Sequence, residues 1–185
     1  DLFEDQEIEA SFYLVSDLMN EHPHIEFNSK NDIFEFGTHT NDHLSMLSKN
    51  LKEQFYDLEQ SRFDIEARVE TRVEGIRPPK EEIDEVGLSA IVQNGFSYIF
   101  ESNRHQRFAP SLIANGELVL IPRTLSDDFE FHQNKFIIDK DKMLNAMKTE
   151  LDWIIGARGA HFLSLHTQLA GEELAFNTIE KFVKS

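Results

Sequence analysis

Two apolar periods alternate along the chain, and each shift between them predicts a change of element. Asp1 to Glu9 reads as the tail of a helix and Ala10-Ser11-Phe12-Tyr13-Leu14-Val15 as a strand. Ile33-Phe34-Glu35-Phe36 forms the next strand and delivers His39 at its carboxyl end. Leu44, Leu47, Leu51, Phe55 and Leu58 then repeat at helical spacing, which predicts a long amphipathic helix reaching Ile65 and Val69, with Thr40 or Asn41 as its N-cap. Val73 to Ile76 is a short strand stopped by Arg77-Pro78-Pro79, because two prolines cannot continue regular structure. Asp84 caps a helix with Leu88, Ile91 and Val92 inward and Asn94-Gly95 as its stop. Phe96 to Phe100 is a buried strand, Glu101 to Pro110 a polar loop, and Glu117 to Ile121 a strand ending at Pro122-Arg123. Met143, Leu144, Met147, Leu151, Ile154 and Ile155 mark another helix, His161 to Leu165 a strand, and Glu172 to Val183 a last helix. Strands alternating with helices over short connections predict a parallel sheet covered by helices, either a barrel or an open sheet.

The bulk numbers fit one domain spanning residues 1–185. Hydrophobic residues make up 40% and charged residues 28% of the chain, the composition of an ordinary globule with one core. No apolar run approaches the ~20 residues of a membrane helix. The absence of cysteine excludes disulfides, thiol catalysis and thiolate metal sites. A net charge of −16 disfavours nucleic acid, anionic membranes and polyanionic substrates, and suits a neutral ligand or one whose product is cationic.

The candidate chemistry falls at strand ends. His39 and His43 stand four apart in Gly37-Thr38-His39-Thr40-Asn41-Asp42-His43. On a helix starting near Thr38 both would project from one side, the spacing a single divalent metal can bridge. Arg77 follows the third strand and His166 the last, where both barrels and open parallel sheets place their sites. His22, His24, His105, His132 and His161 lack partners at useful spacing, so solvent or a satisfied core is expected for them.

These residues resemble the polysaccharide deacetylase family (NodB homology domain, carbohydrate esterase family 4). Ala10 to Val15 is similar to its Ala-Thr-Phe-Phe strand, and Phe36 to His43 to its His-Ser/Thr-x-x-His metal motif. Gly75-Ile76-Arg77-Pro78-Pro79 resembles its Arg-Pro-Pro motif, Asn94 to Tyr98 the turn that follows, and Phe162 to Thr167 its late Leu-x-x-His motif. The resemblance runs in order from about Leu2 to Val183. It implies a distorted (β/α) barrel with fewer than eight strands, incomplete at both ends in this chain. It implies a hydrolase that removes N-acetyl or O-acetyl groups from a cell-wall or exported polysaccharide. His39 and His43 would be ligands of a divalent metal, usually zinc. Arg77 would orient the aspartate base, His166 would be the general acid, and the backbone N–H of Lys80, after Pro79, would hold the oxyanion.

Three departures shape the expectation. The family's Thr-Phe-Asp-Asp motif, source of the base and a third metal ligand, is expected upstream of Asp1, in a longer parent protein. Lys80 stands where many members carry an aromatic residue. Arg123 to Asp128 replaces the family's aspartate-and-tryptophan motif, with Arg123 or Asp128 as candidate partners of His166. The resemblance also places the protein outside the cytoplasm, with an acetylated amino-sugar polymer as its partner. The rival reading is an inactive glycan-binding or scaffolding domain that keeps the barrel. A second rival is another metal hydrolase taking Asp42 or Asp128 as its carboxylate.

Overall fold

The computed structural model describes residues 2–27, 31–102, 108–124, 126–131, 139–167 and 173–185. Six strands form one sheet in the order β1-β2-β3-β4-β6-β5: β1 Ala10–Leu14, β2 Phe34–Thr38, β3 Gly75–Ile76, β4 Tyr98–Ser102, β5 Ser111–Ile113 and β6 Leu118–Arg123. The first four are mutually parallel in chain order, and β5 pairs antiparallel with β6. The sheet is parallel-dominated and open, with β1 and β5 at its edges among the described residues. The helices are α1 Leu2–Asp5, α2 Ser16–Glu21, α3 Leu51–Val69, α4 Glu85–Gln93, α5 Lys140–Gly156 and α6 Glu173–Val183.

The chain divides into two compact units. One holds Glu7–Ser102 and Ser111–Ile121; the other holds Asp1–Gln6, Asn103–Pro110 and Pro122–Ser185. In the first unit the two faces of the sheet have different occupants. Phe36, Ile76, Ile99, Leu118 and Leu120 pack on one face against Met19 of α2, Leu58, Ile65 and Val69 of α3, and Ala90 and Ile91 of α4. Each fully buried aliphatic side chain contributes roughly 1.5–3 kcal/mol. The other face carries Tyr13 and Tyr98, each standing opposite a glycine: Tyr13 pairs with Gly37, and Tyr98 with Gly75. A Cβ on Gly75 would lie 1.9 Å from Tyr98 Cζ, and one on Gly37 would lie 2.7 Å from Tyr13 Cδ1. The two rings therefore lie across the glycine strands, and their hydroxyls meet at 3.4 Å.

In the second unit, Phe131, Met143 and Met147 form a small core with Ala146, Leu163 and Phe182. Met143, Met147 and Ile154 of α5 are buried as its stripe predicts, whereas Ile155 is exposed.

Several boundaries differ from the sequence expectation. α3 starts at Leu51, not near Thr40: Asn50 accepts from the N–H groups of Lys52 and Glu53, and Glu53 returns a bond to the Asn50 N–H. That capping box outcompetes the earlier candidates. Leu44, Leu47 and Leu51 are exposed in consequence. Residues 161–166 form no strand. The hairpin strand β5 carries no clear alternation in sequence, and β6 continues through Pro122 and Arg123. Glu101 and Ser102 belong to β4 rather than to a loop. Asp1, His105, His132, Glu172 and the loop residues 103–107 lie outside the described residues.

Candidate active site

Parallel pairing of β1, β2 and β3 lines up their carboxyl ends. Thr38 is in register with Ile76, so His39 and Arg77 leave the sheet side by side. The ladder carries on past the strands: His39 N–H donates to the Leu14 carbonyl at 2.8 Å, and Arg77 N–H to the Thr38 carbonyl at 2.9 Å. His39 Nδ1 lies 2.5 Å from the Arg77 carbonyl oxygen. A carbonyl can only accept, so Nδ1 carries the proton and the ring's lone pair sits on Nε2, the arrangement common to metal-binding imidazoles.

The His43 ring centroid is 4.8 Å from that of His39. The two are brought together by a bent loop rather than by a helix face. Thr40 and His43 both have positive φ, 70° and 61°. For residues with a Cβ each such turn costs about 1–2 kcal/mol, so the surroundings must hold it. Thr40 N–H donates to Thr38 Oγ1 at 3.0 Å, and its carbonyl accepts from Ser16 N–H at 3.3 Å. Asn41 receives Ser16 Oγ at 2.7 Å on its side-chain oxygen and Asp17 N–H at 3.0 Å on its carbonyl, and donates to Asp17 Oδ1 at 3.0 Å. Its backbone N–H donates to Asp57 Oδ1 of α3 at 2.7 Å. Lys49 Nζ bridges Asp42 Oδ1 at 2.7 Å and Asp57 Oδ2 at 2.5 Å. Burial opposes ionisation of Asp42, but the Lys49 ammonium and the Leu44 N–H outweigh it and hold the carboxyl below its usual range. The Lys49 ammonium is likewise held above its ordinary value, its two carboxylates outweighing burial.

After β3 the chain turns sharply at Pro79. Lys80 and Glu81 both have positive φ, 57° and 54°. Glu81 is buried, and Arg77 Nη2 donates to its Oε1 at 2.8 Å. The Arg77 guanidinium lies 5.5 Å from the Phe100 ring centroid. Its Nε is buried with no hydrogen-bond partner among the described residues.

In the second unit, Asp128 is 2% exposed and serves His166 twice. Its Oδ1 accepts from His166 Nδ1 and its Oδ2 from the His166 backbone N–H, both at 2.7 Å. The carboxylate fixes the ring and stabilises it when protonated, which equips His166 for proton transfer through Nε2. Phe129 flanks the ring, with centroids 5.8 Å apart. Arg123 pairs with Glu130 at 3.0 Å and with Asp127 at 3.7 Å, both close neighbours of Asp128 in the chain. His161 is half-buried, with Nδ1 3.3 Å from Thr124 Oγ1; burial lowers its pKa, and Glu150 opposes that shift.

Among the described residues no three histidine, aspartate or glutamate side chains are grouped as a metal site would require. His39 and His43 fit a metal as two of the three or more donors it takes. Asp42 is instead committed to Lys49, and Asp128 to His166. Lys49, Asp57 and Ser16 escaped the sequence reading, since contacts 16 and 25 residues apart leave no local pattern.

Residues 1–99 match the family model described as polysaccharide deacetylase. The fold matches a protein from Mycobacterium smegmatis classed among the polysaccharide deacetylases, at 18% identity and TM-score 0.85, over 99% of this chain and 67% of that one. It also matches the allantoinase PuuE, at 17% identity and TM-score 0.80, over 99% and 63%. A third match is a CE4 family pseudoenzyme from Bacillus anthracis, at 16% identity and TM-score 0.62, over 99% and 53%. The chain thus spans about two thirds or less of the length of these relatives. Among curated proteins no sequence matches.

Proposed function

This chain belongs to the polysaccharide deacetylase family, and on that premise we propose that it carries most of a metal-dependent hydrolase removing N-acetyl or O-acetyl groups from a polysaccharide. The observation that carries the reading is the paired His39 and His43 at the carboxyl end of β2, with His39 oriented by the Arg77 carbonyl. His39 and His43 would hold the metal, zinc being the ion that the family resemblance implies. When bound, such an ion lowers the pKa of water and polarises an acyl carbonyl.

The chain's own residues supply the rest. The Lys80 backbone N–H, set by its positive φ, is the donor proposed for the developing oxyanion. Arg77 has a buried Nε–H to offer a carboxylate base. By resemblance that base is an aspartate, which would also complete the metal ligands. His166, held by Asp128, gives its proton to the departing amine or alcohol. A neutral acetylated sugar polymer suits a chain of net charge −16, because the amine product is cationic. Such a polymer lies in the cell envelope or beyond, which makes the proposed location extracytoplasmic.

The second reading is a domain that retains glycan binding without hydrolysis, supported by the likeness to a pseudoenzyme of the same family. Acetate release from N-acetylglucosamine oligomers and acetylated xylan by the zinc-loaded protein tests both. The proposal expects acetate, lost on chelation and in the His39→Ala, His43→Ala double variant. Oligomer retention with no acetate selects the second reading, and acetate release that survives the double substitution overturns the metal assignment.

A further inference from the structure

The loop that pairs the two histidines is tied to α3 through one ammonium group and one backbone N–H. Lys49 Nζ contacts Asp42 Oδ1 at 2.7 Å on the loop and Asp57 Oδ2 at 2.5 Å on the helix. Asp42 directly precedes His43, and Asp57 also accepts the Asn41 N–H at 2.7 Å. Both tethers therefore fall between His39 and His43. The Lys49 and Asp57 side chains are only 12% and 7% exposed. A buried ammonium with a carboxylate on each side is more than a surface ion pair: removing it leaves two carboxylates facing each other with no cation between them.

Lys49 is itself anchored. Its carbonyl accepts from Gln54 Nε2 at 2.8 Å, and its N–H donates to the Met46 carbonyl at 3.1 Å. One rigid element, α3, thus fixes the path of a loop whose Thr40 and His43 backbones are held in the left-handed region. Straightening either residue would carry the His43 ring away from His39.

We propose that Lys49 is a positioning residue for the metal pair: by bridging Asp42 to Asp57 it holds His39 and His43 at the separation one ion can span. The inference rests on the assignment of these histidines as metal ligands. It concerns residues outside the donor set, and it makes metal affinity depend on a side chain that touches neither imidazole.

The test is zinc affinity by chelator competition, with the absorption bands of the Co(II)-loaded protein as a record of ligand geometry. Unsubstituted protein is compared with Lys49→Met, Lys49→Arg, Asp42→Asn and the His39→Ala, His43→Ala double variant. Lys49→Met should weaken zinc binding ~10–100-fold, as lost support of a metal ligand does, and alter the Co(II) bands. Lys49→Arg, which can still bridge two carboxylates, should recover most of the affinity. Asp42→Asn cuts the tie on the loop side alone and should weaken binding even if Lys49→Met fails to fold. Equal zinc affinity in Lys49→Met and the unsubstituted protein would overturn the clamp while leaving the two-histidine reading standing. Zinc uptake that is absent throughout, or that survives the double histidine substitution, would overturn that reading and the clamp with it.

Discussion

At the scale of single residues, hydrogen bonding and burial decide what each histidine can do. His39 is oriented by a backbone carbonyl and His166 by a buried carboxylate, so the first is prepared to donate a lone pair and the second to carry a proton. His161 shows the opposite environment. It is half-buried, and desolvation lowers its pKa below the ordinary value of about 6.5. The unfolded chain therefore binds its proton first as pH falls. Stability from this residue is present above the unfolded pKa and is lost as pH drops through that value. NMR titration of the His161 ring should give a pKa below that of a free histidine side chain, and His161→Gln should flatten part of the stability loss between neutral pH and pH ~5. Titration at or above the ordinary value would contradict burial as the dominant influence on this ring.

At the scale of elements, the sheet is organised by two tyrosine–glycine pairs. Tyr13 on β1 and Tyr98 on β4 are separated by β2 and β3, whose glycines leave room for the rings to lie across them. Gly75 is the tighter position, because a methyl group there overlaps the Tyr98 ring. Gly75→Ala should destabilise the fold by ~2 kcal/mol or more in urea unfolding. Combining it with Tyr98→Ala should recover part of that loss, since the clash would be gone. Strictly additive effects would contradict the pairing.

These glycines were readable in the sequence only as parts of motifs, because the tyrosines that need them lie on other strands. The same limit applies to other elements. β1, β2, β3, β4, β6 and α4 were legible from period and punctuation, and Asp84 caps α4 as expected. The start of α3 was not. Its apolar spacing extends back to Leu44, and the choice of Asn50 is made by a reciprocal bond with Glu53. Residues 161–166 alternate as a strand would yet form none. His39 and Arg77 were placed correctly at strand ends. The reason His43 meets His39 is a clamp assembled from Ser16, Lys49 and Asp57, which no spacing rule reveals.

At the scale of the whole molecule, a −16 charge and a parallel-dominated open sheet accompany membership of the polysaccharide deacetylase family. The histidine pair and Lys80, whose N–H is the proposed oxyanion donor, lie in one compact unit and the Asp128–His166 pair in the other. No helix among the described residues is long and apolar enough to cross a membrane. The claim on which the rest depends is that His39 and His43 share a metal ion. X-ray absorption at the zinc edge of the zinc-loaded protein tests it most directly. Imidazole scattering from two histidines is expected, lost in the His39→Ala, His43→Ala variant. Zinc coordinated by oxygen alone, or imidazole scattering unchanged by the double substitution, would contradict it.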